Sequence, residues 1–168
     1  GIEIDNRAYA GGWWDWLSPF SILTGTGVTI GYALLGATWL NLKIEGEFQE
    51  RMRLASFKLA IATLALIGAV SIATPFLNPV YFDHWFSWPK IVFASIVPIL
   101  VVYTTYLLFK GLNEKSDVMP FLASIMLFVL GFVGIGISFY PHIVPPSLTI
   151  WDAAAPDSSL AFALVGTV

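Results

Sequence analysis

Four stretches of this chain, residues 19–42, 59–75, 91–109 and 118–139, contain no Asp, Glu, Lys, Arg or His. Nothing else in the sequence constrains the fold so tightly. A helix needs about 20 apolar residues to cross the roughly 30 Å hydrocarbon layer of a bilayer. In hydrocarbon, backbone polar groups find partners only within the segment, so each stretch is read as a transmembrane helix. Composition agrees. The 168 residues are 57% hydrophobic and 11% charged, against about 25% charged in a soluble domain, and the mean hydropathy is +0.78. A sphere of this size cannot hide that much apolar surface, so the solvent is lipid. The expected fold is an all-α polytopic membrane protein: a four-helix transmembrane bundle over 19–139, then the truncated start of a fifth helix at 158–168.

The spans fall at about 19–42, 57–75, 90–110 and 118–139. Ser18 and Pro19 supply an N-cap and a first-turn proline to the first span. Thr24, Gly27, Gly31, Thr38 and Asn41 give that span one stripe of small or weakly polar residues. Gly27 and Gly31 form a GxxxG pair, which lets another helix backbone come close; here it is assigned to packing within the chain. Ala65 and Ala69 are a second small pair, and Pro75 stands near the end of span two. Pro98 should kink span three or be accommodated by its neighbours. Pro120 opens span four, which carries Gly131, Gly134 and Gly136 towards its end. The segment 140–157 is a Pro-rich loop with Pro141, Pro145, Pro146 and Pro156, and Asp157 or Ser158 is expected to cap the last helix. From Ser158 to Val168 that helix would be only about 16 Å long. With Gly1 rather than Met at the front, the chain is expected to be a fragment of a longer membrane protein.

Basic residues set the orientation. Segments 43–58 and 110–117 hold Lys43, Arg51, Arg53, Lys58, Lys110 and Lys115, whereas 1–18, 76–90 and 140–157 hold only Arg7 and Lys90. Loops rich in Lys and Arg stay on the cytoplasmic side. Six of the seven tryptophans lie towards the other side, with Trp39 as the exception, as an interfacial aromatic belt would have it. Residues 1–18, 76–90 and 140–157 are therefore expected outside, and 43–58 and 110–117 in the cytoplasm.

Chemistry is harder to find. An ionisable group inside a span costs several kcal/mol and usually marks an ion, proton or substrate path; these spans carry none. There is no cysteine, which removes disulfides, thiolate metal sites and Cys nucleophiles. The net charge is −3 and the eight basic residues are scattered, so nothing tracks a nucleic-acid backbone. His84 and His142 both fall in outer loops, and no His-x-x-His or His–carboxylate pair shares a helix face; both are read as structural or solvated. Glu45, Glu47 and Glu50 stand among Arg51, Arg53 and Lys58 at spacings that suit an ion-paired helix start. The competing reading is a surface for proton uptake. No GxSxG, Walker or HExxH pattern occurs. No catalytic, cofactor-binding or metal-binding residue is assigned.

Three stretches carry more than composition: AYAGGWWDWLSPFSILTG at 8–25, ALLGATWLNLKIEGEFQER within 31–53, and YPHIVPPSLTIWDAAAPDSS at 140–159. Together they resemble the second half of subunit II of the cytochrome bd-type quinol oxidases, with IVPPSLTIWDAAAP the most specific element. The resemblance implies a respiratory complex of the bacterial plasma membrane that oxidises ubiquinol or menaquinol and reduces oxygen to water. It implies a larger partner, subunit I, holding haem b and haem d. It also implies a haem-free subunit II with two four-helix bundles and one extra helix, and in some members a structural quinone. The family's acidic proton-path residues belong to the first half of that subunit, and none maps here. A small-solute permease and a stand-alone membrane scaffold are the rival readings. A permease should show broken helices with a polar lining near the midplane, and these spans offer only Thr, Ser and Gly.

Overall fold

The computed structural model describes residues 4–5, 8–9, 11–77, 90–144 and 148–167. Four long helices dominate: α1 over Pro19–Lys43, α2 over Glu47–Leu77, α3 over Lys90–Asn113 and α4 over Met119–Phe139. All four are long and apolar enough to cross a membrane. The fold is an all-α polytopic membrane protein, as the charge-free stretches require. Residues Trp16–Ser138 form one compact unit; Gly1–Asp15 and Phe139–Val168 form a second.

Helix α1 starts where expected and for the expected reason. The Ser18 hydroxyl accepts from the Ser21 N–H at 3.1 Å, the Ser21 hydroxyl accepts from the Ser18 N–H at 2.9 Å, and Pro19 occupies the first turn. Two otherwise orphaned donors are satisfied reciprocally. The stretch 43–58, read as a loop, is mostly helix. Only 44–46 turns the chain, and Gly46 makes the turn at φ +78°, a left-handed conformation that costs a glycine nothing. Helix then resumes at Glu47, with Glu47 and Glu50 in its first turn, where carboxylates complement the helix dipole. Likewise α3 runs to Asn113, shortening the loop 110–117. Pro75 and Pro98 both lie within helices.

Contacts along each neighbouring pair close the four helices into a ring. A Cβ on Gly27 would lie 3.7 Å from Leu66 of α2, and the Phe57 and Phe109 rings join α2 to α3 at 5.1 Å. Gly134 of α4 faces Val97 of α3. Tyr32–Phe128 and Trp39–Phe121 join α1 to α4 at 5.1 and 5.0 Å. The GxxxG pair thus packs within the chain, Gly27 towards α2 and Gly31 against the Phe128 ring, where a Cβ would come within 3.0 Å. Gly31, Thr38 and Asn41 of the predicted stripe are buried, together with Leu34 and Ala37. The second small pair is different: Ala65 and Ala69 face outward, because α2 buries Arg53, Ser56, Ala60 and Thr63 instead.

Burial is lopsided along the bundle. The core is Leu34, Ala60, Leu108, Leu112, Ala123 and Leu127. All of it lies in the half of each helix next to the turns 44–46 and 114–118. In the opposite half, none of the described residues 19–30, 64–76, 95–103 and 131–139 is buried.

The second unit is small and local. Strands β1 (Ile4–Asp5) and β2 (Ala8–Tyr9) pair antiparallel, as do β3 (His142–Val144) and β4 (Leu148–Thr149). A single helical turn, α5 (Ile150–Ala153), follows β4, and α6 covers Asp157–Thr167. The described part of the Pro-rich segment therefore holds two paired strands and a helical turn rather than plain loop. The cap of α6 is displaced from its expected place: Pro156 O accepts from the Ser159 and Leu160 N–H groups, so Asp157 already sits in the first turn.

Candidate functional site

The densest polar chemistry lies at the well-packed end of the bundle, where the C-terminus of α1, the first turns of α2 and the α3–α4 turn meet. Arg53 is its centre. Its side chain is only 9% exposed, yet it reaches Glu50 Oε1 at 3.0 Å and Asp117 Oδ1 at 3.4 Å, and donates to Lys115 O at 3.4 Å. The Lys115 ammonium donates to the same Glu50 oxygen at 2.7 Å. Gln49 Nε2 donates both to Asp117 Oδ1 and to Asn41 O, each at 2.9 Å. One turn up, the Thr38 and Ser124 hydroxyls, both fully buried, are hydrogen-bonded at 2.9 Å. Polar side chains thus connect α1 to α4, and α2 both to α1 and to the α3–α4 turn.

Local structure explains why the sequence builds this cluster. Glu50 and Arg53 are three residues apart on α2, neighbours on one helical face. Lys115 adopts φ +56° in the turn after α3, and the Ser116 hydroxyl accepts from the Met119 N–H at the start of α4. Gly111 permits the tight turn. A Cβ there would lie 3.0 Å from both Met119 Cβ and Pro120 Cδ, so α3 and α4 approach closely only because the side chain is missing.

The electrostatics favour a lock over a proton acceptor. The Lys115 hydrogen bond holds the Glu50 carboxyl below its usual range; desolvation works against this, and the charges of Lys115 and Arg53 reinforce it. Glu50 stands in the polar first turns of α2, clear of the charge-free span. A carboxylate held ionised by two cations is a poor base. Of the other acids considered, Glu47 pairs with Arg51 at 2.6 Å on an open surface, an arrangement that contributes at most about 0.5 kcal/mol. Two groups pay no such dividend: the Asn41 amide is fully buried with neither Nδ2 nor Oδ1 hydrogen-bonded, and Arg53 Nε is likewise unpaired.

The remaining sequence candidates lie elsewhere. His142 is in β3, opposite Thr149; His84 lies outside the described residues. Asp152 and Thr149 form a capping box for α5, and the Trp151 ring meets Tyr140 edge-on at 6.1 Å. Trp13, Trp14 and Trp16 are exposed. Among the described residues no group of three or more His, Cys, Asp or Glu could hold a metal ion. Sequence reasoning missed Gln49, Asp117 and the Thr38–Ser124 pair. Thr38 and Asn41 on the polar stripe were the local hints of them.

The family model for cytochrome bd terminal oxidase subunit II matches residues 1–168, the full length given. No curated protein matches the chain. Such oxidases imply haem in the complex, and haem iron takes axial His, Met, Cys or Tyr ligands. Among the described residues no histidine stands on one of the four long helices, and His142 lies in strand β3.

Proposed function

The chain belongs to the cytochrome bd terminal oxidase subunit II family, and from that premise we propose that it is a haem-free structural part of a quinol oxidase. In this reading the complex couples oxidation of ubiquinol or menaquinol to reduction of oxygen to water in the bacterial plasma membrane. Haem b and haem d, and the chemistry they supply, reside in the larger subunit I. This chain closes one helical bundle and offers helix surface to that partner, to lipid and, in the full-length subunit, to a structural quinone. One observation carries the proposal: Glu47, Glu50, Arg51, Arg53, Lys115 and Asp117 pair with one another at one end of the bundle, while the four charge-free stretches hold no ionisable side chain of their own. That pattern suits a scaffold better than a path for protons or solutes.

The test is purification of the full-length protein through a tag on this subunit. A haem spectrum contributed by a co-purifying larger subunit supports the reading, and a colourless monomer rejects it. Replacing His84 or His142 by Ala should leave the haem content unchanged; loss of a haem band would identify a ligand in a loop. Orientation is tested separately, since the chain has no native cysteine. Cysteines placed at Gly46 or Asn113 should react only with reagents that reach the cytoplasm, and those at Ser87 or Ser147 only with external ones. The reverse pattern would overturn the assigned sidedness.

A further inference from the structure

We propose that the lipid-facing side of the α1–α4 seam is a binding site for one phospholipid with a net-negative headgroup. The Lys43 ammonium takes the phosphate, and one acyl chain lies in a furrow between two aromatic pairs. The inference rests on the membrane-spanning fold alone and does not depend on the oxidase reading.

Three observations build the site. Trp39–Phe121 and Tyr32–Phe128 are ring pairs of nearly the same tilt, 56° and 54°. Their members are seven residues apart on both helices, nearly two full turns, so both pairs stand on one side of the seam. Trp39 and Tyr32 remain 45% and 59% exposed, so the pairing leaves ring surface uncovered. Between them on α1 is Gly36, exposed, where an added Cβ would meet nothing within 4 Å. A missing side chain between two aromatic walls makes a furrow of acyl-chain width.

Lys43 stands at the polar end of this furrow. Its ammonium lies over the Trp39 ring, 4.8 Å from the centroid. The ring occupies one side of the ammonium and leaves N–H donors on the other. No carboxylate among the described residues pairs with Lys43, whereas Lys110 and Lys115 have Glu114 and Glu50. The free cation therefore lacks a counter-charge at the level where lipid phosphates lie. The dimensions match as well. Lys43 to Tyr32 is eleven residues, about 16 Å of helix, and one leaflet of a roughly 30 Å hydrocarbon layer is half that thickness. A chain whose headgroup sits on Lys43 reaches the Tyr32–Phe128 pair at about mid-membrane.

The test is native mass spectrometry of the protein purified through a tag on this chain with whatever subunits accompany it, delipidated and titrated with phosphatidylglycerol or phosphatidylcholine. The wild type should retain one phosphatidylglycerol more tightly than phosphatidylcholine. Lys43→Gln should weaken that retention about fivefold, the usual worth of one lysine at an anionic surface. Lys43→Arg should restore it, and Trp39→Leu should weaken it while leaving the charge in place. Lys58→Gln, which removes another exposed cation from α2, should leave it unchanged. Equal losses in Lys43→Gln and Lys58→Gln would mean diffuse attraction and overturn the proposal. So would equal retention of the two lipids, or a wild type that retains none because a partner subunit covers the seam.

Discussion

The two halves of the bundle are built differently. The half near the turns buries Leu34, Thr38, Asn41, Arg53, Ser56, Ala60, Leu108, Leu112, Ser124 and Leu127, and crosses between helices with hydrogen bonds and ion pairs. The opposite half buries none of its described residues, though its glycines and alanines would permit close approach. The difference teaches where this chain is self-sufficient. One end carries its own lock, and the other leaves apolar helix surface for lipid or for neighbouring helices. The second unit shares the second character: α6 and α5 bury no residue of their own.

Substitutions can break or sharpen this contrast. The largest effect is expected at Arg53. Arg53→Leu leaves the Glu50 and Asp117 carboxylates without their shared cation and the Lys115 carbonyl without that donor, and should lower the melting temperature of the purified complex more than any substitution below. A thermal melt of the purified complex unchanged by this substitution would dissolve the lock. Next come paired glycines. Gly111→Ala forces a Cβ against Met119 and Pro120 and should destabilise by about 1–2 kcal/mol. Gly136→Ala, in the open half with nothing within 4 Å, should instead stabilise by up to about 1 kcal/mol through the unfolded chain. The same sign at both positions would erase the distinction between the halves. Asn41→Leu is predicted to leave the melting temperature unchanged or raise it, since it removes an amide buried without partners; a large loss would show that the amide is satisfied in the assembled protein.

The smallest effect is in pH. The folded-state value of Glu50 is lowered below the usual 4.5, so its contribution is present above that value and lost as pH falls through the lowered one. The difference in melting temperature between wild type and Glu50→Gln should hold near neutrality and close on strong acidification. A difference that widens in acid would reverse the sign.

Much of this fold was legible because lipid enforces simple rules. Charge-free runs gave the four spans, Ser18-Pro19 gave a helix start, and the stripe through Gly31, Thr38 and Asn41 marked the buried face of α1. The helix at 47–58 was half legible: Glu47, Glu50, Arg51 and Arg53 stand at the spacings of an ion-paired helix start, yet the segment still counted as a loop between spans because charge marks where a helix leaves hydrocarbon. The polar cluster was hidden for another reason. Gln49 meets Asp117 across 68 positions of sequence, and no local spacing encodes a contact of that range. Ala65 and Ala69 looked like a packing pair, yet the four-residue spacing fixes only a shared face, not which way that face points.

On the proposed reading this chain assembles the oxidase and leaves the chemistry to its partner. That reading is tested most directly by measuring, for Trp151→Ala, Trp13→Ala and Arg53→Leu, both the yield of assembled complex and the turnover per haem. Trp151 meets Tyr140 in a turn held by the Thr149–Asp152 capping box, whereas Trp13 is 85% exposed. Trp151→Ala and Arg53→Leu should lower the yield far more than Trp13→Ala, and whatever complex survives should turn over normally per haem. Reduced turnover in fully assembled complex would contradict that reading and give these residues a part in the chemistry.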